Sequence, residues 1–268
     1  KIRTLRRRRR YQQRHQSLQG KDKVFRCGLD PRSRHRKWLD FINLPDNHYE
    51  LYHEALSLYE GFTKTQRKIV DDRIQTVREN LSVMIGNTEE RDALLNAIRA
   101  FAFVHLEITD IRVLANIIVN LLNGLASSEE DLLFWGLCWI MEETDHLFYL
   151  NSSKNPREEL VERIGAIINK IHKGLFNRVY FKTLLHSDEF FSFFKEFRFF
   201  TDSIDKELEF WDRLVTAPLH TDFQMYLYSA YLIYGYGTQF EVYPKVYHPT
   251  TEMDVEAIID IALALFDR

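Results

Sequence analysis

The chain reads as all-α. Three observations carry this. Apolar residues recur at helical spacing through most of the 268 residues, no alternating strand pattern with Asn-Gly turns is present, and the chain-breaking residues are scarce, with 10 Gly and 6 Pro. At 45% hydrophobic and 14% aromatic, the chain has material for one large domain or for two lobes sharing a continuous core. A sequence that opens on Lys1 reads as a piece of a longer protein. Cys27 and Cys138 are too far apart in sequence to suggest a disulfide framework or a cysteine metal site, and they point to a reducing, cytoplasmic setting. The apolar runs Ile111–Leu122 and Leu132–Met141 are too short to span a bilayer, and no signal peptide is legible.

Charge divides the chain. Residues 1–40 hold 15 Lys and Arg against Asp22, Asp30 and Asp40, a balance of +12, so with a total of −3 the remainder carries −15. Arg6-Arg7-Arg8-Arg9-Arg10 leads the basic part. Such a run repels itself, and two readings stand: a solvated lead-in, or an arm that touches an acidic partner or an anionic membrane. Neither zinc spacing nor interleaved aromatics accompany it, so nucleic acid is not expected.

In chain order, Gly28 allows a tight turn, Asp30 can cap the helix that follows, and Pro31 suits its first position. Arg34 and Trp38 then share a face. Residues 47–68 read as helical, with Leu51, Ala55, Leu56 and Tyr59 on one stripe, and Thr65 as the cap of the next helix. Gly86-Asn87-Thr88 breaks that helix. A helix from Glu89 to His105 follows, with Ala93, Leu94, Ala97, Ile98 and Phe101 at helical spacing. Asp110–Leu122 is nearly all apolar and expected to be buried. Ser127 to Glu130 resembles a cap before a helix over Asp131–Phe148. Asn151–Pro156, short and polar, is the expected hinge. Beyond it come an amphipathic Glu158–Phe176, a phenylalanine-crowded Phe190–Phe200, a helix through Leu208–Leu214, an aromatic Tyr226–Tyr236 and a last helix, Glu252–Phe266, with Val255, Ile258, Ile259, Ala262 and Leu265 on one side.

Four segments resemble those of the TBC domain, the fold of GTPase-activating proteins for Rab-type small GTPases. Gly28, Arg34 and Trp38 stand at the spacing of that domain's start, with Asp30 in place of the usual proline. Ile69-Val70-Asp71-Asp72-Arg73-Ile74-Gln75-Thr76 is similar to its Ile-x-x-Asp-x-x-Arg-Thr signature. Phe134-Trp135-Gly136-Leu137 followed by Met141, and Leu208 to Leu214 with Trp211-Asp212, match two further segments in the family order. The resemblance implies a two-lobed helical domain over 25–268, with lobes of about 25–155 and 156–268, preceded by a basic extension over 1–24.

The same resemblance implies where chemistry would sit. In the family an arginine finger enters the GTPase's own site, an effect worth on the order of 10³–10⁵ in rate, or about 4–7 kcal/mol. Gln75 occupies that position here, and it lacks both the charge and the bidentate fork. A second finger, the glutamine of a Tyr-x-Gln motif, would fall near Glu107–Leu114, where there is neither Gln nor Tyr and the nearest amide is Asn116. Arg78 and Arg73 lie about 60° and 160° round a helix from position 75, which makes Arg78 the better substitute. The expected partner-binding set is Asp72, Gln75, Thr76, Arg78, Thr109, Asp110 and Arg112. No catalytic residue, metal or cofactor is expected. Glu142, Glu143, Asp145 and His146 read as a solvated helix face, and no phosphate-binding loop, dinucleotide motif or His-Glu-x-x-His occurs.

The function implied is therefore a GTPase-binding or scaffold protein of vesicle trafficking that has lost catalysis, cytoplasmic, with membrane or ciliary association left open. The alternative is an active Rab GTPase activator using Arg78. A third reading is a helical interaction module that shares only the pattern.

Overall fold

A computed structural model describes residues 18–42, 44–58, 61–105, 108, 110–144, 156–171, 185–199, 201, 203–218, 221–238 and 254–268. Among these the fold is all-α, with no strand. No single helix among them is long and apolar enough to cross a membrane. The chain divides into two compact units, Lys1–Met141 and Glu142–Arg268. The division falls ahead of the boundary expected at 155/156. The sequence carries no break there because a helix runs on through Glu143. The expected hinge, 151–155, lies outside the described residues, and Pro156 is the first residue of a helix.

Among the described residues of the first unit, the first helix is α1 (Leu18–Cys27), whose Val24 and Phe25 are buried. The boundary expected between residues 24 and 25 therefore cuts through a packed helix. The local pattern is amphipathic, and its cationic residues masked this in the charge count. The chain turns at Gly28, whose φ of 79° lies in the left-handed region that glycine tolerates. Asp30 then accepts from the Arg32 amide at 3.0 Å, with Pro31 at the first position of a short 3-10 turn, Pro31–Ser33. That turn feeds α2 (Arg34–Ile42), which buries Arg34, Trp38, Phe41 and Ile42 along one side.

The third helix, α3 (His48–Ser57), buries Leu51, Tyr52 and Ala55, while Leu56 is half-buried and Tyr59 lies outside the described residues. It stops at Ser57 rather than reaching 68. The cap of α4 (Lys64–Met84) is Thr63, not Thr65: the Thr63 hydroxyl and Gln66 form a reciprocal capping box that ties the turn two residues earlier. Only Val70, Ile74, Val77 and Leu81 of α4 are buried, a narrow stripe at helical spacing. Asn87 caps α5 (Thr88–Val104) by accepting from the Glu89 and Glu90 amides, and eight apolar residues of this helix are buried.

A 3-10 turn, Ile111–Val113, leads into α6 (Leu114–Leu125), which is terminated by Ala126 in the left-handed conformation (φ 48°). The last helix of the unit is α7 (Glu130–Glu143). Helix α6 is the hub: α2, α4 and α5 pack on it. The closest approach is at Gly124, where an added Cβ would lie 2.2 Å from Trp38 Cζ3 and 2.6 Å from Cε3. Trp38 is fully buried in that notch and meets Trp139 of α7 edge-on, with centroids 6.1 Å apart. Gly136 of α7 admits the side chains of Leu121 and Leu125, at 3.3–3.4 Å from where its Cβ would be.

The second unit holds α8 (Pro156–Ile171), α9 (Asp188–Lys195), α10 (Ile204–Thr216), α11 (Phe223–Thr238) and α12 (Val255–Phe266). Ser187, Ser203 and Asp254 cap α9, α10 and α12 with side-chain acceptors. Helix α11 packs on α8, α10 and α12. The phenylalanine-rich stretch is a core rather than a surface. Phe199 stacks on Phe210 (4.3 Å, 19°) and on Tyr228 (4.9 Å, 24°), and Phe197 lies 5.6 Å from Trp211. The Tyr228 hydroxyl donates toward the carbonyls of Phe193 and Arg198, so the chain leaving α9 is held at both ends of its turn. Burial first, and the nearby carboxylate of Glu207 next, push the Tyr228 phenol well above its ordinary value.

All four tryptophans are buried, Trp38 and Trp211 completely and Trp135 and Trp139 to 9% and 7% exposure. Two outcomes follow. Gly124→Ala forces a methyl into the Trp38 ring and should destabilise the first unit by about 1–3 kcal/mol in denaturant unfolding, with a change in tryptophan emission. Trp211→Ala empties the second unit's core and should cost about 3–5 kcal/mol, and a loss below about 1 kcal/mol would contradict this placement.

Candidate functional site

The surface to which the sequence assigns partner binding lies on α4 and the segment that follows α5. The two are joined by Arg73, whose Nη1 donates to the carbonyl of Ile108 at 3.0 Å, and by packing of α4 against Ile111–Val113. Residues 35 apart in sequence are thus fastened side by side. Ile108, Ile111 and Val113 are buried beneath this junction, so its backbone is anchored by the core.

Around the junction, Asp72, Gln75 and Arg78 are exposed, and Thr76 is half-buried with its hydroxyl 3.5 Å from the Asp72 carbonyl. Gln75 Nε2 donates along the helix to Glu79 Oε1 at 3.3 Å. Asp110 is half-buried and pairs with exposed Arg112 at 3.2 Å. Thr109 lies outside the described residues. Ile69, at 47% exposure, adds an apolar side chain to this surface.

Helix geometry sorts these residues. At about 100° per residue, Ile69 and Thr76 lie about 40° and 60° from Arg73 and so flank the junction. Arg78 lies about 140° from Arg73, across the buried stripe, and Gln75 about 160° from it. The structure therefore places Arg73 at the junction with Thr76 on its flank, pairs Asp110 with Arg112 on the adjoining segment, and sets Gln75 and Arg78 on other sides of α4. The sequence reading takes Arg78 as the better substitute for a finger; the bond that engages Arg73, to a backbone carbonyl on another segment, leaves no mark in a residue pattern.

A second polar cluster, which sequence reading missed, sits where α3 and α5 meet the start of α7. Tyr52 donates to Glu130 Oε2 (2.6 Å), Asn96 donates to Glu130 Oε1 (2.8 Å), and Arg99 donates to the Asn96 amide oxygen (2.6 Å). Beside it His48 Nδ1 lies 2.6 Å from Asp131 Oδ2, and Trp135 Nε1 donates to the His48 carbonyl at 3.1 Å. Burial, and then the bond to Glu130, drive the Tyr52 phenol far above its usual range, so it acts as a fixed donor. Both oxygens of Glu130 are bonded to side chains of two other helices, and both acids lie in the first turn of α7, where the helix dipole favours them. The cluster clamps three helices together. It was illegible because the bonds that join α3 and α5 to α7 span 34 to 87 residues.

Among the described residues no group of three or more His, Cys, Asp or Glu could hold a metal ion. Asp145 and His146, part of the acidic cluster read from the sequence, lie outside those residues. No family model matches the chain, and no curated protein matches it.

Tyr52→Phe removes one donor from the half-buried Glu130 and should cost about 1–3 kcal/mol in denaturant unfolding. A variant as stable as the parent would mean that water replaces the phenol without loss.

Proposed function

We propose that the chain is a catalytically silent relative of the Rab GTPase activators, a GTPase-binding or scaffold module of the TBC type. The observation that carries this reading is the outer side of α4. A helix whose buried stripe is four side chains carries exposed Ile69, Asp72 and Gln75 in the order of the activator signature, with the finger position filled by a neutral amide. Two of the resembling segments, 26–38 and 134–141, also meet through Trp38 and Trp139.

The chemistry of the surface accounts for the expected inactivity. Stabilising charge on a transferring phosphoryl group takes a guanidinium delivered to the equatorial oxygens. Gln75 supplies an amide already hydrogen-bonded to Glu79, and Arg73 spends one guanidinium nitrogen on the Ile108 carbonyl. Asp72, Ile69 and Arg112 remain as a mixed polar and apolar surface able to hold a folded partner without acting on its nucleotide. The activator reading through Arg78 draws on that residue's exposure alone.

The test is single-turnover GTP hydrolysis by a panel of Rab GTPases, with binding measured alongside. The parent chain should bind at least one of them and accelerate hydrolysis less than about tenfold, against the 10³–10⁵ or so of a working finger. Gln75→Arg should raise the rate by tens-fold or more on the GTPase that binds, and helix stability should be unchanged because Gln and Arg have similar propensities. Acceleration by the parent that Arg78→Ala abolishes would establish the active alternative. No binding to any member and no gain from Gln75→Arg would leave a helical scaffold unrelated to GTPases.

A further inference from the structure

The basic character of the N-terminal region continues into its folded part. From Lys21 to Lys37 the chain carries seven Lys and Arg against Asp22 and Asp30. In the structure this stretch is a helical hairpin. The chain reverses between Gly28 and Pro31, and Lys21 Nζ near the start of α1 comes to lie over the ring of Phe41 near the end of α2, 5.8 Å from its centroid. Lys23, Arg26, Arg32, Arg36 and Lys37 are exposed on it. A third acid, Asp40, follows in α2, and two of the three are engaged within the hairpin. The Asp30 carboxylate accepts from the Arg32 amide, and Asp40 sits 3.9 Å from Lys37.

What the hairpin does not expose is as informative. Its aromatic residues Phe25, Trp38 and Phe41 are buried at 0%, 0% and 9%. None of the exposed large apolar side chains lies between Lys21 and Ile42. Single-stranded nucleic acid is gripped by stacking bases on several aromatic rings, and of the hairpin's rings only the small His35 imidazole is exposed. A protein partner is anchored by apolar or aromatic residues seated in pockets, and no such anchor is presented either. A spread of long, flexible cations fits a diffuse planar field, the surface of an anionic bilayer, where binding needs no shape complementarity.

We propose that the α1–α2 hairpin is a docking face for anionic lipid membranes, with Lys23, Arg26, Arg32, Arg36 and Lys37 facing the headgroups and the arginine run Arg6–Arg10 adding charge from the same end of the chain. The face is separate from the α4 surface, so the inference stands whether or not a GTPase binds there. Each Lys or Arg near such a surface multiplies membrane partitioning by about fivefold, and the field decays over about 8–10 Å at ordinary salt.

The experiment is co-sedimentation of the full chain with phosphatidylcholine vesicles and with vesicles of phosphatidylcholine and phosphatidylserine in about a 3:1 ratio. The parent should bind only the second kind, and the binding should fall steeply as salt is raised. The triple variant Lys23→Glu/Arg32→Glu/Arg36→Glu should lose at least about 100-fold in partitioning, the value for removing three cations, with thermal unfolding unchanged. Should it unfold, the milder pair Arg32→Gln/Arg36→Gln carries the same test, with a loss of about 25-fold expected. A chain with Arg6, Arg7, Arg8, Arg9 and Arg10 replaced by serine should keep measurable binding. The proposal is overturned if the hairpin variants bind as the parent does, if serine replacement of the run alone abolishes binding, or if neutral vesicles bind equally well. It is also overturned if a single-stranded RNA oligonucleotide binds the chain more tightly than the anionic vesicles at the same salt.

Discussion

The packing of the first unit depends on the seating of one indole against one glycine. Trp38 can be fully buried only because α6 offers no side chain at position 124, and a single methyl there would lie within 2.2 Å of the ring. From that contact the rest of the unit takes its spacing. The indole's edge meets Trp139 and so locates α7, while α4 and α5 pack on the same helix that carries the glycine. Close-packed interiors transmit such constraints because they contain few voids that could absorb a displacement.

This arrangement explains why α4 can be sparsely anchored and still well placed. Its buried stripe is four residues, and its outer surface is committed to solvent. What holds its rotational setting is a specific bond, Arg73 to the Ile108 carbonyl, at a segment whose own apolar residues are buried. A surface helix fixed this way can present Ile69 and Asp72 to a partner without the partner having to order it first, which lowers the entropic cost of association. The clamp of Glu130 and Asp131 serves the unit differently. There the acids of one helix end satisfy donors from α3 and α5, and their carboxylates are spent on architecture.

Charge and aromatic content sort by element. The second unit uses its aromatic residues as mutual packing partners, with Phe199 between Phe210 and Tyr228. In the α1–α2 hairpin the aromatics are buried and the cations left outside. Burial of flat rings stabilises a helical core through area and edge-to-face contacts, and the long stems of Lys and Arg cover what remains.

The amino-acid sequence by itself determined the helical class, the turn at Gly28, the cap Asp30 and the break at Gly86-Asn87-Thr88, because periodicity and capping are local and written within a few residues of one another. Thr63 belongs to the same legible set, since Gln66 stands three residues on. A helix reading extended through 47–68 concealed it. The course of α1 was legible too, in Val24 and Phe25, but the surrounding cations outweighed two apolar residues. Only the tertiary structure decided that Gly124 is a notch for an indole, that Arg73 joins α4 to the 108–113 segment, and that Glu130 and Asp131 bond to side chains from 34 to 83 residues away. Each of these is a contact between chain segments whose separation in sequence carries no distance information. Several act through a backbone carbonyl or the absence of a side chain, and such groups look the same in every residue or in every glycine.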